Sequence, residues 1–359
     1  MGSECTTVKP LISVLMPVFN AETYVVQAIE SIVNQDYENF ELLIIDDASG
    51  DDSFSIISEI EDSRIRVFQN DRNKGYLTSV NYLFSQCRGD YITFQDADDW
   101  SEPNRLSNQE LAFRNDSKLM FCGTQCIYTK NGREQRRSVF PLEHDDVVQQ
   151  LESGDTAILC GASVMIKHQL LNEFGGFRVF FDRVGAEHLD WFWQMMIKNR
   201  YMNLPEPLYT YRATDNSFSR KLDLNPLRYH CTQIALLAYW QKKLNGKDAL
   251  DEESTQLSLK HSIEKKYESD SSLIYRQAGV TQLAFGEYRA YVDCLKKSIR
   301  CQGVTIANVK FMFIWFPLFV FLTFCPRTLQ RKVVKRNNLN FLKDHGVDVS
   351  AITLGSYNE

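Results

Sequence analysis

Residues Asp90–Trp100 read DYITFQDADDW, an apolar, β-branched and aromatic run that breaks off into three carboxylates within four positions, Asp96, Asp98 and Asp99. The run Asp90–Asp96 predicts a strand buried on both faces, because its apolar residues are continuous rather than alternating. Carboxylates this close repel one another unless a positive charge sits among them. A hard divalent cation such as Mg²⁺ or Mn²⁺ answers that need, since it takes oxygen ligands and binds through one or two carboxylates plus substrate phosphates. A solvated acidic turn is the plainer alternative. The position directly after a buried strand favours the cation, because open α/β sheets bind ligands outside the carboxyl ends of their strands.

Upstream, the same grammar repeats. Leu11–Val18 (LISVLMPV) and Phe40–Asp46 (FELLIID) predict two more buried strands, and Arg64–Gln69 (RIRVFQ) a third. Between the first two, Val25, Ala28, Ile29, Ile32 and Val33 recur at helical spacing, with Asn20 as a candidate N-cap. A helix is expected over Tyr76–Ser85 and another after Pro103. Strand–helix alternation of this kind predicts an α/β sheet, parallel over its first hundred residues, with helices on both faces. The strand ends are then Pro17–Asn20, Asp46–Ser49, Asn70–Gly75 and Asp96–Asp99.

Downstream the pattern is mixed, with strand-like LMFCGTQCIYT, ASVMIKH and PLYTYR around a helix at Leu189–Lys198. From about Leu227 the chain reads as helical and mostly polar, and Leu273–Arg300 resembles one tetratricopeptide-type helix pair with Gly286 at its turn. Phe311–Cys325 (FMFIWFPLFVFLTFC) is fifteen residues without charge, short of the ~20 that span a bilayer. Arg327, Arg331, Lys332, Lys335 and Arg336 follow. Apolar aromatic sequence beside a basic cluster predicts a membrane-surface anchor, with a buried core helix as the alternative.

The 359 residues suit one large domain with a smaller C-terminal part. A net charge of −6 argues against nucleic acid as a partner. The nine cysteines are scattered, and the N-terminal MGSECTTVKP shows no apolar leader, so a reducing compartment is expected rather than a disulfide framework. Cys122 and Cys126 form a lone C-x3-C, better read as two small strand residues than as half of a zinc site.

In order along the chain, SVLMPVFN, NQDY, FELLIIDDASGD, NKG, GDYITFQDADD, EHLD and PEPLYTYR resemble the landmarks of the family-two glycosyltransferases, over about Leu11 to Ser219. The resemblance implies a GT-A nucleotide-binding, Rossmann-like mixed sheet over 1–226, to which the residue patterns above add a helical extension over 227–302 and a C-terminal membrane-associating segment and tail over 303–359. It implies a DxD motif at Asp96-Ala97-Asp98, with Asp96 near the ribose and Asp98 or Asp99 on the metal. Pro17, Phe19, Asn20 and Asp47 fall where the family holds the nucleobase, Phe19 offering a ring to stack and Asp47 an acceptor for an imide N–H. Lys74 lies in the NKG loop of the same crevice. Glu187, His188 and Asp190 stand where the family carries its acidic base segment, and His188 replaces a common aspartate. The base is thereby left open among the three. Arg212 is a candidate for neutralising the departing diphosphate, while Thr214 stands where a histidine is often found.

The expected function is therefore inverting transfer from a nucleotide diphosphate sugar, a UDP-sugar first, to a carbohydrate or glycolipid acceptor hydroxyl, with Mn²⁺ or Mg²⁺ as cofactor. Polysaccharide, glycolipid or glycan synthesis at the cytoplasmic face of a membrane fits that chemistry. Two other classes are alternatives: a sugar nucleotidyltransferase, which also uses an α/β sheet and acidic metal ligands but typically has a glycine-rich basic loop after the first strand where this chain has PVFNAETY, and a non-catalytic binding protein that has kept the fold.

Overall fold

The computed structural model describes residues 9–214, 223–284, 288–302, 305, 307–308 and 327–349. Four strands, β1 (Ile12–Val18), β2 (Phe40–Asp46), β3 (Ile65–Gln69) and β4 (Tyr91–Phe94), pair in parallel in the order β3-β2-β1-β4. Every residue of β2 is buried, as its unbroken apolar run requires. The sheet continues through β8 (Met165–Lys167), β6 (Leu119–Lys130), β9 (Arg200–Ala213) and β5 (Trp100–Ser101), with β7 (Arg133–Arg137) paired to β6, giving a nine-stranded mixed sheet among the described residues.

Helices α1 (Val25–Val33), α2 (Ser53–Ser58), α3 (Tyr76–Gln86) and α4 (Arg105–Asn115) connect or flank the parallel strands. The α1 stripe Val25, Ala28, Ile29 and Ile32 is buried against Val14, Met16, Leu42 and Ile44 of the sheet. Asn20 does not cap α1. The helix opens after Tyr24, whereas Asn20 sits at φ +50° and its Oδ1 accepts the Gly50 N–H at 2.8 Å. Its short amide side chain thus ties the first strand end to the second, a use that tolerates the left-handed backbone.

Shorter helices α5 (His144–Glu152) and α6 (His168–Phe174) follow, then α7 (Glu187–Met196). The C-terminal part is helical as expected: α8 (Cys231–Asn245), α9 (Glu253–Ser269), α10 (Leu273–Ala284), α11 (Tyr288–Gln302) and α12 (Arg327–Asp344). Gly286, expected at the α10–α11 turn, and Phe311–Cys325 lie outside the described residues. Among the described residues no helix is long and apolar enough to cross a membrane.

The chain divides into two compact units. One comprises Met1–Gln150, Ala157–Arg183 and Met195–Ala213 and contains the sheet. The other comprises Leu151–Thr156, Val184–Gln194 and Thr214–Glu359. In the second, Ile234–Trp240 of α8 are buried without interruption, so this helix is wrapped on all sides. Part of its cover is α12, where Phe341 and Leu342 are buried and Asn338 donates to the Gly154 carbonyl at 2.8 Å. The described cysteines Cys87, Cys122, Cys126, Cys160, Cys231, Cys294 and Cys301 are all free thiols.

Candidate nucleotide and metal site

The strand order reverses at β1, which has β2 and β3 on one side and β4 on the other. Such a reversal opens a crevice at the carboxyl ends of the strands. The ends of β1, β2 and β4 bring Pro17, Phe19 and Asn20, then Asp47, then Asp96–Asp99 to that edge.

After β4 the chain turns tightly. The Asp99 N–H donates to the Asp96 carbonyl at 3.2 Å, closing a four-residue turn. Gln95, fully buried below it, accepts from Ser101 Oγ at 2.6 Å and donates to the Asp96 carbonyl at 3.1 Å. The three carboxylates then part company. Asp96 and Asp98 are half-buried, whereas Asp99 is 1% exposed. Asp99 Oδ2 accepts from the Tyr209 hydroxyl at 2.9 Å, and Oδ1 accepts from the Arg212 backbone N–H at 2.7 Å. Both oxygens of Asp99 are thus engaged by protein donors. Burial pushes the Asp98 carboxyl above its ordinary range, with the Arg212 charge partly offsetting it. Burial, reinforced by the charges of Asp98 and Asp96, pushes Asp99 up further.

Arg212 is held as a clamp. Its guanidinium lies 4.4 Å from the Tyr24 ring centroid and 4.9 Å from that of Trp100, and Nη2 donates to Gln27 Oε1. Its Nε is buried without a hydrogen-bond partner. An orphaned donor on a fixed cation near Asp98 suits an anionic oxygen. Among the described residues no three His, Cys, Asp or Glu side chains form a metal cage by themselves. The donor set still fits a hard cation, which needs one or two carboxylates when a diphosphate completes its shell.

On the nucleobase side, Phe19 is 49% exposed, so its ring is open to stacking. Asp47 is buried and accepts from the backbone N–H groups of Lys74 and Gly75, both at 2.8 Å, and from Asn70 Nδ2 at 2.7 Å. It therefore shapes the NKG loop as well as facing the crevice end of β2. Gly75 adopts φ +90°, and a Cβ there would come within 3.1 Å of Asp182 Oδ1, so the loop requires glycine. Lys74 Nζ pairs with Asp71 at 2.9 Å, and Arg183 Nη2 braces the loop through Asn73 Oδ1 at 3.1 Å.

The acidic segment belongs to the second unit. It is entered through Gly185 and Ala186 at φ +93° and +70°, an uncommon conformation for alanine. Glu187 Oε1 lies 3.1 Å from His188 Nδ1, with the two side chains 14% and 18% exposed. Burial raises the Glu187 carboxyl, but its contacts with His188 outweigh that and hold it below the ordinary range. Asp190 is 1% exposed.

Tyr24, Trp100, Arg105, Arg183 and Tyr209 carry this geometry and were not candidates from sequence. Tyr209 lies within the PLYTYR run, but its partner Asp99 is 110 positions away, a pairing no local pattern encodes.

The chain is also similar to known proteins in sequence and fold. Residues 13–175 match the family described as glycosyl transferase family 2. An uncharacterized glycosyltransferase of Haemophilus influenzae is 45% identical over 102 residues, covering 28% of this chain and 41% of that protein. The UDP-Glc:alpha-D-GlcNAc-diphosphoundecaprenol beta-1,3-glucosyltransferase WfaP of Escherichia coli is 35% identical over 111 residues, covering 31% of this chain and 44% of that one. The chain thus spans less than half the length of these two relatives. Among solved structures, S. aureus TarS 1-349 with UDP-GlcNAc superposes with a TM-score of 0.54 at 17% identity, over 91% of this chain and 88% of that one. The mannosyltransferase PcManGT of Pyrobaculum calidifontis, solved with GDP-Man and Mn²⁺, gives 0.52 at 14% identity, over 96% and 89%. Residues 13–175 thus match the family-two glycosyltransferases, and the chain has the GT-A fold.

Proposed function

We propose that this chain is an inverting glycosyltransferase that moves a sugar from a nucleotide diphosphate sugar, by preference a UDP-sugar, to an acceptor hydroxyl. The carrying observation is the closed Asp96–Asp99 turn at the end of β4, with the Arg212 clamp beside Asp98. Asp98 is the carboxylate for Mn²⁺ or Mg²⁺, and Asp96 serves the ribose. Asp99, whose oxygens are both engaged, supports the turn. A cation held by Asp98 would supply Lewis-acid stabilisation to the diphosphate, where negative charge grows as its bond to the sugar's anomeric carbon breaks. Arg212 neutralises part of that same charge. The acceptor hydroxyl loses its proton to a base drawn from Glu187, His188 and Asp190.

Uridine is favoured because the Phe19 ring and Asp47 suit a small pyrimidine with an imide N–H. The WfaP relative takes UDP-Glc by name and the TarS structure contains UDP-GlcNAc, while PcManGT holds GDP-Man. Calorimetric titration of UDP and GDP in the presence of Mn²⁺ is expected to show tighter binding of UDP. Tighter GDP binding reverses the assignment. A protein that turns over no donor with any acceptor or water, yet binds it, is instead a non-catalytic binding protein.

Acceptors in polysaccharide or lipid-linked glycan assembly fit a membrane-surface enzyme. Lys332, Arg336 and Lys343 of α12 are exposed, and the apolar Phe311–Cys325 precedes them in sequence. The 359-residue chain is expected to sediment with anionic liposomes at low salt and to release as salt rises, since such attraction is screened within ~10 Å at 0.1 M. Lys332→Glu with Arg336→Glu is expected to weaken that binding with donor hydrolysis intact. Substitution tests this better than truncation, which would strip Phe341 and Leu342 from α8. Failure of the wild-type protein to sediment assigns the apolar segment to a core.

A further inference from the structure

We infer that Tyr209 is the positioning residue of the metal turn: through the buried Asp99 carboxylate its hydroxyl holds the Asp96–Asp99 turn and Arg212 in one frame. The inference rests on the donor-site reading above.

The argument starts from one proton. A phenol has a single O–H to give and lone pairs to accept with. Tyr209 Oη accepts the Asp96 backbone N–H at 3.2 Å and donates its proton to Asp99 Oδ2 at 2.9 Å. One atom therefore fastens the first and last residues of the turn, with Asp98 suspended between them. The second oxygen of Asp99 takes the Arg212 backbone N–H at 2.7 Å. Asp98 and the Arg212 guanidinium sit on different strands' ends, yet both hang from this one carboxylate.

The frame is anchored below by a buried cation. Arg105, fully buried, donates to Thr93 Oγ1 at 3.0 Å and to the Phe94 carbonyl at 3.1 Å, and its guanidinium lies 5.7 Å from the Tyr209 ring centroid. Its described partners are a hydroxyl, a carbonyl and a ring, and its Nε has none. A cation over a phenol ring strengthens the O–H as a donor. The sequence Arg105–Tyr209–Asp99 thus runs from a buried guanidinium through a phenol to a buried carboxyl, and its far end is the turn that meets the metal. Neither Tyr209 nor Arg105 touches substrate in this scheme; both act through Asp99.

Tyr209→Phe removes the hydroxyl and keeps the ring over Arg105. The expected result is a loss of Mn²⁺ affinity, measured by titration at saturating UDP, on the order of tenfold. Tyr201→Phe is the matched control. Tyr201 is another fully buried tyrosine of β9, hydrogen-bonded to Asn203 Oδ1, and its loss should lower the thermal midpoint comparably without moving Mn²⁺ affinity. Wild-type Mn²⁺ affinity in Tyr209→Phe overturns the inference while leaving the donor reading standing. A wild-type protein that takes no Mn²⁺ with UDP fails the donor reading instead. The brace is then decided by a double-mutant cycle in thermal stability between Tyr209→Phe and Asp99→Asn. Marked non-additivity supports it, and simple additivity overturns it.

Discussion

Asp98→Asn is expected to remove metal-dependent sugar transfer, with turnover falling about a thousandfold or more, while the protein stays folded. The magnitude follows from the metal's task. Stabilising the charge on a departing diphosphate is worth several kcal/mol, and each ~1.4 kcal/mol is a factor of ten in rate. The fold should survive because burial already disfavours the charged form of Asp98. Asparagine has nearly the same shape and removes a negative charge from beside Asp96 and Asp99. The thermal midpoint should therefore hold or rise while activity disappears. The measurement is initial rate against Mn²⁺ concentration for both proteins, with a melting curve of each. Full activity of the wild-type protein in excess EDTA would falsify the metal assignment outright.

The second large effect lies in the segment that opens α7. Glu187→Gln, His188→Asn and Asp190→Asn, made separately, are expected to give one loss of ~10²–10⁴-fold in turnover with donor affinity retained. The pH profile tells which group is responsible. Glu187 is held below its ordinary range, so its charge and its pairing with His188 persist to lower pH than those of an ordinary carboxylate. A rate that declines on the acidic side at about pH 6–7 therefore excludes Glu187; it belongs to the buried Asp190 if Asp190→Asn rather than His188→Asn carries the loss, and otherwise to imidazole. In that case Glu187 orients Nδ1–H and leaves Nε2 as the base, and Glu187→Gln shifts the limb to lower pH by destabilising the imidazolium. The neighbouring Cys231 thiol, pushed up by burial and further by the Glu187 charge, stays protonated across this window. Near-native turnover in all three variants would place the base elsewhere.

The buried strands and the acidic turn could be read from sequence because each is written locally. Ile12–Val18 and Phe40–Asp46 are runs of apolar residues, and DADD is contiguous. The β6–β7 hairpin was harder to see. Asn131-Gly132, both at positive φ, signals its turn, yet every residue of β7 is exposed and polar, so no alternation marks the strand. The PLYTYR run predicted only the end of β9, which begins at Arg200, because Asn203 and Glu206 interrupt its apolar pattern. Asn20 reads as a helix cap by type, but the β2 loop competes for its side chain and wins. The polar frame under the turn was invisible for a different reason. Arg105, Tyr209 and Asp99 meet only after β5 and β9 have paired; Arg105 and Tyr209 alone read as ordinary surface or core residues, and Asp99 reads as a metal ligand.

The attachment of Asp47 to the NKG loop constrains how donor preference can change by mutation. On the proposed reading one carboxylate receives the nucleobase and also fixes the amides of Lys74 and Gly75, so the two traits cannot be altered independently. A substitution at Asp47 aimed at a purine base would release the loop before it recruited a new ligand. Variation in donor choice within this scaffold should instead accumulate at positions with no second duty, such as the half-exposed ring of Phe19. Asp47 is then expected to be retained for mechanical reasons, even where the sugar nucleotide differs.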